Sequence, residues 1–169
     1  RASAVNELAP TGQCGDNVYW NYDSTTGELV ISGTGPMWDY QGISSPFYNN
    51  ISIESVFIET GITTIGAFVF YYCEKLKNVI IPNGVISINK GAFWGTGIIY
   101  ITIPDSVSTI EDSFDCCYEL TSITVNKNNK NYSSDSSGVL FNKEKTTIIK
   151  YPAGKNNKSY SIPDSVITI

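Results

Sequence analysis

The side chains able to do chemistry in this sequence are four cysteines, a short run of acids and a set of aromatics; histidine is absent. Without an imidazole, a Ser-His-Asp or Cys-His arrangement is disfavoured, because the usual base for activating the nucleophile is missing. Cys116 and Cys117 are adjacent and no Cys-x-x-Cys pair occurs, so the short paired spacings of a zinc site are lacking. Cys117 reads as a buried structural thiol, with Cys116 nearer the surface. Glu111, Asp112, Asp115 and Glu119 gather around one turn. They have the chemistry to hold a cation weakly or to act as paired acids, against which a solvated turn is the simpler reading. Asp135-Ser136-Ser137-Gly138 lacks the ligand spacing of a calcium loop. Trp38, Tyr40 and Trp94 have the types of a sugar platform. Trp38 and Tyr40 are expected instead to pack an N-terminal cap onto the first repeat, and Trp94, next to Phe93, stays open. The expectation is no catalytic residue, no metal ligand, no cofactor and no enzymatic activity.

Composition limits the partners. Hydrophobic residues make up 41% and charged residues 16% of 169 residues, which argues for a folded core rather than disorder. The formal net charge is -5, so nucleic acid is not an expected partner. Residues 1–122 carry 4 basic and 13 acidic side chains (-9), and residues 123–169 carry 7 lysines and 3 acids (+4). The lysines fall in loops rich in Asn and Ser, as solvated charge does. No apolar run reaches 18 residues, so direct membrane insertion is not expected. Arg1-Ala2-Ser3-Ala4 lacks the apolar centre of a signal peptide and reads as a mature start or a cloning boundary. The sequence ends at Ile169 inside a repeat unit, from which a longer polypeptide is expected.

The elements that position these groups come from an internal repeat. Ile81-Pro82-Asn83-Gly84-Val85-Ile86-Ser87-Ile88 returns as Ile103-Pro104-Asp105-Ser106-Val107-Ser108-Thr109-Ile110 and as Ile162-Pro163-Asp164-Ser165-Val166-Ile167-Thr168-Ile169. Ile58 to Ile65 keeps the apolar positions without the proline. The period is 23 residues from Ile58 to Ile81 and 22 from Ile81 to Ile103, within the range of leucine-rich-repeat solenoids. In Val79-Ile80-Ile81 and Ile101-Thr102-Ile103, alternation sends first and third side chains to one face. Proline then ends the strand, and Asp/Asn with Ser/Gly supplies the turn. Ala-Phe-x-x-Cys reads as a single helical turn. It makes Phe70, Phe93 and Phe114 buried equivalents and sets Cys73, Thr96 and Cys117 in a ladder. Cys73 and Cys117 are then about 9–10 Å apart, too far for a disulfide, and the pairing of Cys14 is open.

Two segments depart from the repeat. Val18, Trp20 and Tyr22 alternate, as do Leu29 and Ile31, around a hairpin loop at Asp23–Gly27. With the aromatics Trp38, Tyr40, Phe47 and Tyr48 this stretch reads as the cap that a solenoid end requires. Asn126 to Asp135 reads as a polar loop. Gly138–Phe141 and Thr147–Tyr151 read as a hairpin across Asn142–Lys145. The expected organisation is a tail or linker over 1–12, a β cap over 13–50, and a repeat array over 51–169 interrupted at 126–160. Rungs at Val56, Val79, Ile101, Ile123, Ile149 and Tyr160 would span roughly 24 Å.

Ile-Pro-Asp-Ser-Val-x-x-Ile, Ala-Phe-x-x-Cys-x-x-Leu, and Gly138-Val139-Leu140-Phe141-Asn142-Lys143 with Tyr151-Pro152-Ala153-Gly154-Lys155 resemble the BspA-like leucine-rich repeats of bacterial and protist surface proteins. Cys14-Gly15-Asp16-Asn17-Val18 and Leu29 to Gly35 resemble the segment that often precedes such arrays. The resemblance covers about residues 13–169. Glu59-Thr60-Gly61 in place of Pro-Asp-Ser, and Thr96 in place of Cys, depart from it. It implies a mainly β leucine-rich repeat solenoid with short helical turns and an N-terminal β-hairpin cap. It also implies secretion or surface display, and adhesion or host-protein binding. No binding residue is carried over from it.

Strand alternation locates the expected binding face. If Val79 and Ile81 point inward, Asn78 and Ile80 point outward; the same register exposes Ser55 and Phe57, Tyr100 and Thr102, and Ser122 and Thr124. Phe57, Asn78, Ile80, Tyr100, Thr102, Ser122 and Thr124 are therefore the candidate partner-binding residues on the concave strand face. The expected partner is another protein, of a host or a cell surface. A carbohydrate-binding segment, or a spacer within a larger extracellular enzyme or scaffold, is the alternative.

Overall fold

The computed structural model describes residues 8–169; the tetrapeptide at Arg1–Ala4 and most of the expected tail lie outside them. An N-terminal antiparallel group comprises β1 (Thr11–Gly15), β2 (Val18–Asp23) and β3 (Glu28–Gly33). β4 (Gly35–Pro36) and a 3-10 turn at Gly42–Ser44 follow. Then come β5 (Ser55–Ile58), β6 (Ile62–Ile65), β7 (Asn78–Ile80), β8 (Ser87–Ile88), β9 (Tyr100–Ile103), β10 (Thr109–Ile110) and β11 (Ser122–Val125). β12 (Tyr132–Ser134), β13 (Leu140–Asn142) and β14 (Ile148–Lys150) close the order.

The chain winds as a β solenoid of leucine-rich-repeat type. One side is the strand ladder, in which β3, β5 and β7 pair in parallel and β9 pairs in parallel with β11. A second side stacks β4, β6, β8 and β10, also in parallel. The third side is built of turns. Phe68, Phe70 and Tyr72 amides donate to Lys90, Ala92 and Trp94 carbonyls of the next coil, and Gly91, Phe93 and Gly95 amides donate to Asp112, Ser113 and Asp115. Backbone groups of each coil are thus satisfied by the next one, so no coil is complete alone.

The core follows the repeat. Val56, Ile58, Ile62, Ile65, Val85, Ile88, Ile101, Ile103 and Val107 are buried. Through the middle runs a column of rings: Phe47 on Phe70 at 5.5 Å, Phe70 on Phe93 at 5.5 Å, and Phe93 on Phe114 at 5.8 Å, all stacked. Phe70, Phe93 and Phe114 are the buried equivalents expected, and Phe47 is a fourth. Trp20 closes the column edge-on to Phe47 at 5.1 Å.

Several expectations are corrected. The Ala-Phe-x-x-Cys segments are not helical. They are successive tight turns, such as Cys73 amide to Phe70 carbonyl and Thr96 amide to Phe93 carbonyl. Residues with positive φ at Phe68, Tyr72 and Cys116 break any helical run. The rungs also differ. Leu29 in β3 pairs with Val56, so the first coil lies within residues 28–50. Ile149 sits in β14, which runs antiparallel to β13, and Tyr160 lies in no strand. Alternation alone does not distinguish a parallel rung from a strand of a local meander. Asn126–Asp135 is not wholly loop, since β12 pairs antiparallel with β13. Asn129 anchors that turn: its side-chain amide donates to the Pro104 and Val107 carbonyls at 2.8 and 2.9 Å, and its oxygen accepts from the Asn131 and Tyr132 amides. The expected hairpin over Asn142–Lys145 is present as β13 and β14.

Candidate binding face

The outward residues of the strand ladder form two rows. Val30, Phe57 and Ile80 are register partners in one; Glu28, Ser55 and Asn78 are partners in the other. Tyr100 pairs with Ser122 and Thr102 with Thr124 further along. Phe57 is 41%, Ile80 58% and Tyr100 60% exposed, although the core below is already filled by Val56, Ile58 and Ile101. Asn78, Thr102 and Thr124 are exposed as well. Ser122 is only half-buried rather than open, because Gly138 packs onto it and the Ile123 amide donates to the Gly138 carbonyl at 2.9 Å. The structure thus puts Phe57 and Ile80 side by side, with β9 next to β7.

The ladder is not one continuous sheet: β3-β5-β7 and β9-β11 are separate. The interruption coincides with a shortened coil. Five residues lie between Phe70 and Leu76 and between Phe114 and Leu120, but only four between Phe93 and Ile98.

The chemical candidates fall into structural roles. All four cysteines are free, and Cys14 with them. Cys73 and Cys117 donate to the Phe47 and Phe93 carbonyls, each at 3.0 Å, and Thr96 donates to the same Phe93 carbonyl. This is the expected ladder: Cys73 and Cys117 occupy turn carbonyls of the preceding coil, and Thr96 occupies one of its own coil. Burial pushes the Cys14 and Cys73 thiols up to about 12 and raises Cys117 too, so these thiols stay protonated and unreactive near neutrality. Among the acids, Asp115 pairs with Lys150 and Glu111 accepts from the Lys90 amide. Among the described residues no three Asp, Glu or Cys side chains converge as a metal-holding group. Of the aromatic trio, Tyr40 packs against the core. Trp38 is 41% exposed and donates to Asp16 at 2.9 Å, and Trp94 stands edge-on to Tyr71 on the side made of turns. No helix among the described residues is long and apolar enough to cross a membrane.

The model of the BspA-type leucine-rich repeat region matches residues 42–162 in six copies. The chain belongs to that family. It is similar in fold to a leucine-rich repeat protein from Eubacterium ventriosum, with 28% identity and a TM-score of 0.54 over 94% of this chain. The pneumococcal vaccine antigen PcpA is similar at 17% identity and a TM-score of 0.60 over 95% of this chain. A leucine rich cell surface protein from Faecalibacterium prausnitzii is similar at 17% identity and a TM-score of 0.58 over 89%. The chain covers 55%, 60% and 64% of those three chains respectively. A search of curated proteins finds no match. Repeats of this family are generally non-catalytic interaction modules, and two of the similar structures carry names that refer to a cell surface or a vaccine antigen.

Sequence reasoning missed one feature of the molecule. A cleft lies on the side made of turns, lined by Tyr72, Glu74, Lys77, Gly95, Thr96, Gly97, Cys116, Tyr118 and Glu119. Its signal was the missing residue between Phe93 and Ile98.

Proposed function

We propose that this chain is the non-enzymatic recognition module of a secreted or cell-surface protein, and that it serves adhesion by binding a partner protein on the open face of the strand ladder. The observation that carries the reading is the adjacent pair Phe57 and Ile80, with Tyr100 on the next coil, left in solvent above a complete core. Apolar groups gathered on an open sheet mark interaction surfaces more often than isolated ones do, and repeat solenoids offer extended surfaces to another protein. Asn78, Thr102, Ser122 and Thr124 supply hydrogen-bonding groups around the apolar centre, in the manner of a polar rim. Surface display is supported by the similarity in fold to a leucine rich cell surface protein and to a vaccine antigen.

The test is a binding panel of purified extracellular-matrix and cell-surface proteins, run with the chain and with the Phe57→Ser/Tyr100→Ser variant. Both positions are exposed, so the thermal midpoint is expected to stay nearly unchanged while binding is lost. Retained affinity in the folded double variant removes this face and directs attention to the segment 126–138.

A further inference from the structure

The turn side of the solenoid carries a feature that the repeat does not call for. Coils with Phe70 and Phe114 place two residues between the ladder cysteine and the next core leucine, Glu74-Lys75 and Tyr118-Glu119. The coil between them has Gly97 alone between Thr96 and Ile98. Its loop is therefore set back, and the flanking loops stand proud on either side. They lie two coils apart, about 9–10 Å at strand spacing, which admits one ring between them.

Two glycines let the neighbouring coils close onto the recessed loop and so shape the walls of the slot. Gly95 occupies the position of Tyr72 and Cys116, and all three adopt positive φ (69°, 58° and 56°). Only the middle coil uses glycine there, and the Tyr72 ring leans over it: a Cβ on Gly95 would meet that ring at 2.8 Å. A Cβ on Gly97 would lie 2.2 Å from the Glu74 carbonyl oxygen and 3.0 Å from the Lys77 ammonium. The resulting cleft measures about 290 Å³, the small end of the range for small-molecule sites.

The lining selects the ligand by its charge. Lys77 reaches over the floor at Gly97, while Glu74 and Glu119 are exposed at the rim. None of the three is in an ion pair; among the described residues that role falls to Lys150 and Asp115. A cationic ligand meets the Lys77 ammonium, and an anionic one meets two carboxylates. A neutral ligand that donates to carboxylates and accepts from an ammonium satisfies all three. Tyr72 and Tyr118 add aromatic surface for an apolar ring face. The geometry points to a binding site for one neutral pyranose, a hexose or the terminal residue of a glycan, held between Tyr72 and Tyr118 and hydrogen-bonded by Glu74, Lys77 and Glu119. This site is separate from the strand ladder and does not depend on partner binding there.

The experiment is an NMR titration of the isotope-labelled chain with the methyl glycosides of glucose, galactose, mannose and N-acetylglucosamine. Acetate and the amide of N-acetylarginine serve as charged probes. The expected result is saturable shifts of the Gly95, Thr96 and Gly97 amides with at least one glycoside and with neither charged probe. Tyr118, 72% exposed, makes a fold-neutral variant: Tyr118→Ala should weaken that glycoside about tenfold, the loss of roughly one aromatic contact. Glu74→Gln/Glu119→Gln should weaken it further, and Phe57→Ser/Tyr100→Ser should leave it unchanged. Silence toward all four glycosides overturns the proposal. So does a response to the arginine amide alone, which would make the cleft a seat for a basic side chain of a protein. Glycoside shifts indifferent to Tyr118→Ala and to the glutamate changes also overturn it.

Discussion

Phe93→Ala probes the ring column at its best-supported point. Phe93 is fully buried and stacks on both sides, at 5.5 Å on Phe70 and 5.8 Å on Phe114. Truncation removes two stacked contacts, each worth about 0.5–1.5 kcal/mol beyond burial, and the transfer free energy of the buried ring. It also leaves a void between coils whose backbones are tied together, the Phe70 amide to the Ala92 carbonyl and the Phe93 amide to the Ser113 carbonyl, so collapse of the void is resisted. A cost of about 3–5 kcal/mol follows. For a chain of this length, 1 kcal/mol moves the midpoint about 2–4 °C, giving a drop of roughly 6–20 °C. Ile86→Ala is the internal control: Ile86 lies between the inward anchors Val85 and Ile88 and is 51% exposed, so its loss should fall within about 1 kcal/mol. Thermal and urea unfolding followed by circular dichroism on the two variants compare them directly. Equal losses, or a Phe93→Ala cost under about 1 kcal/mol, would refute the register and the claim that the ring column holds the coils together.

Alkylation of the native chain should modify Cys116, which is half-buried, and leave Cys14, Cys73 and Cys117 untouched until denaturant is added; mass spectrometry of the digested product reads this, and a buried thiol labelled first would contradict the packing. The same burial makes stability fall in alkali. Cys14 and Cys73 have folded-state values of about 12 against an ordinary 9.0. Folding therefore retains protons that the unfolded chain releases, and the stability they contribute, complete below pH 9, is lost between pH 9 and 12. The slope is about 1.4 kcal/mol per pH unit for each thiol, and urea midpoints measured across that window should decline less steeply in Cys73→Ala. Asn129→Ala should cost about 2–4 kcal/mol by unpairing the buried Pro104 and Val107 carbonyls and the Asn131 and Tyr132 amides, against a near-neutral Asn128→Ala at an exposed position, both read by urea unfolding.

Much of the fold was legible because the same physics repeats every 22 or 23 residues. A proline after Ile81 and again after Ile103, an Asp/Asn turn and a Phe three residues before a small polar or thiol side chain all recur, and one coil explains the next. The first coil was harder to read. Leu29 and Ile31 alternate as any strand does, and nothing local says that β3 pairs antiparallel with β2 on one edge and parallel with β5 on the other. Phe47, with Asn50 three residues on, was the available signal, since Asn50 stands where Cys73 stands in the next coil and its side chain accepts from the Ser52 and Ile53 amides. At the other end, Ile149 looked like a rung because it is apolar and Tyr151-Pro152 just after it repeats the Ile-Pro strand ending. β12 takes one edge of β13 and leaves β14 the other, so the segment makes a local meander.

The open face and the cleft differ in how sequence encodes them. Outward positions of a strand follow from the inward ones by alternation, so the sequence alone places Phe57, Ile80 and Tyr100 on the outer face. A cleft depends on a difference between coils. One residue fewer after Thr96 reads, within a single unit, as ordinary loop variation, and its consequence appears only when the neighbouring coils are stacked on it. Gly95 sharpens the point. Tyr72 and Cys116 show that a side chain is tolerated at this positive-φ position, at a cost of about 1–2 kcal/mol. Glycine relieves that strain in the middle coil, and the Tyr72 ring takes up the vacated space. A tyrosine cannot lean that way over a neighbour bearing a side chain, so the orientation of Tyr72, and with it one wall of the cleft, is set by a residue in the next coil.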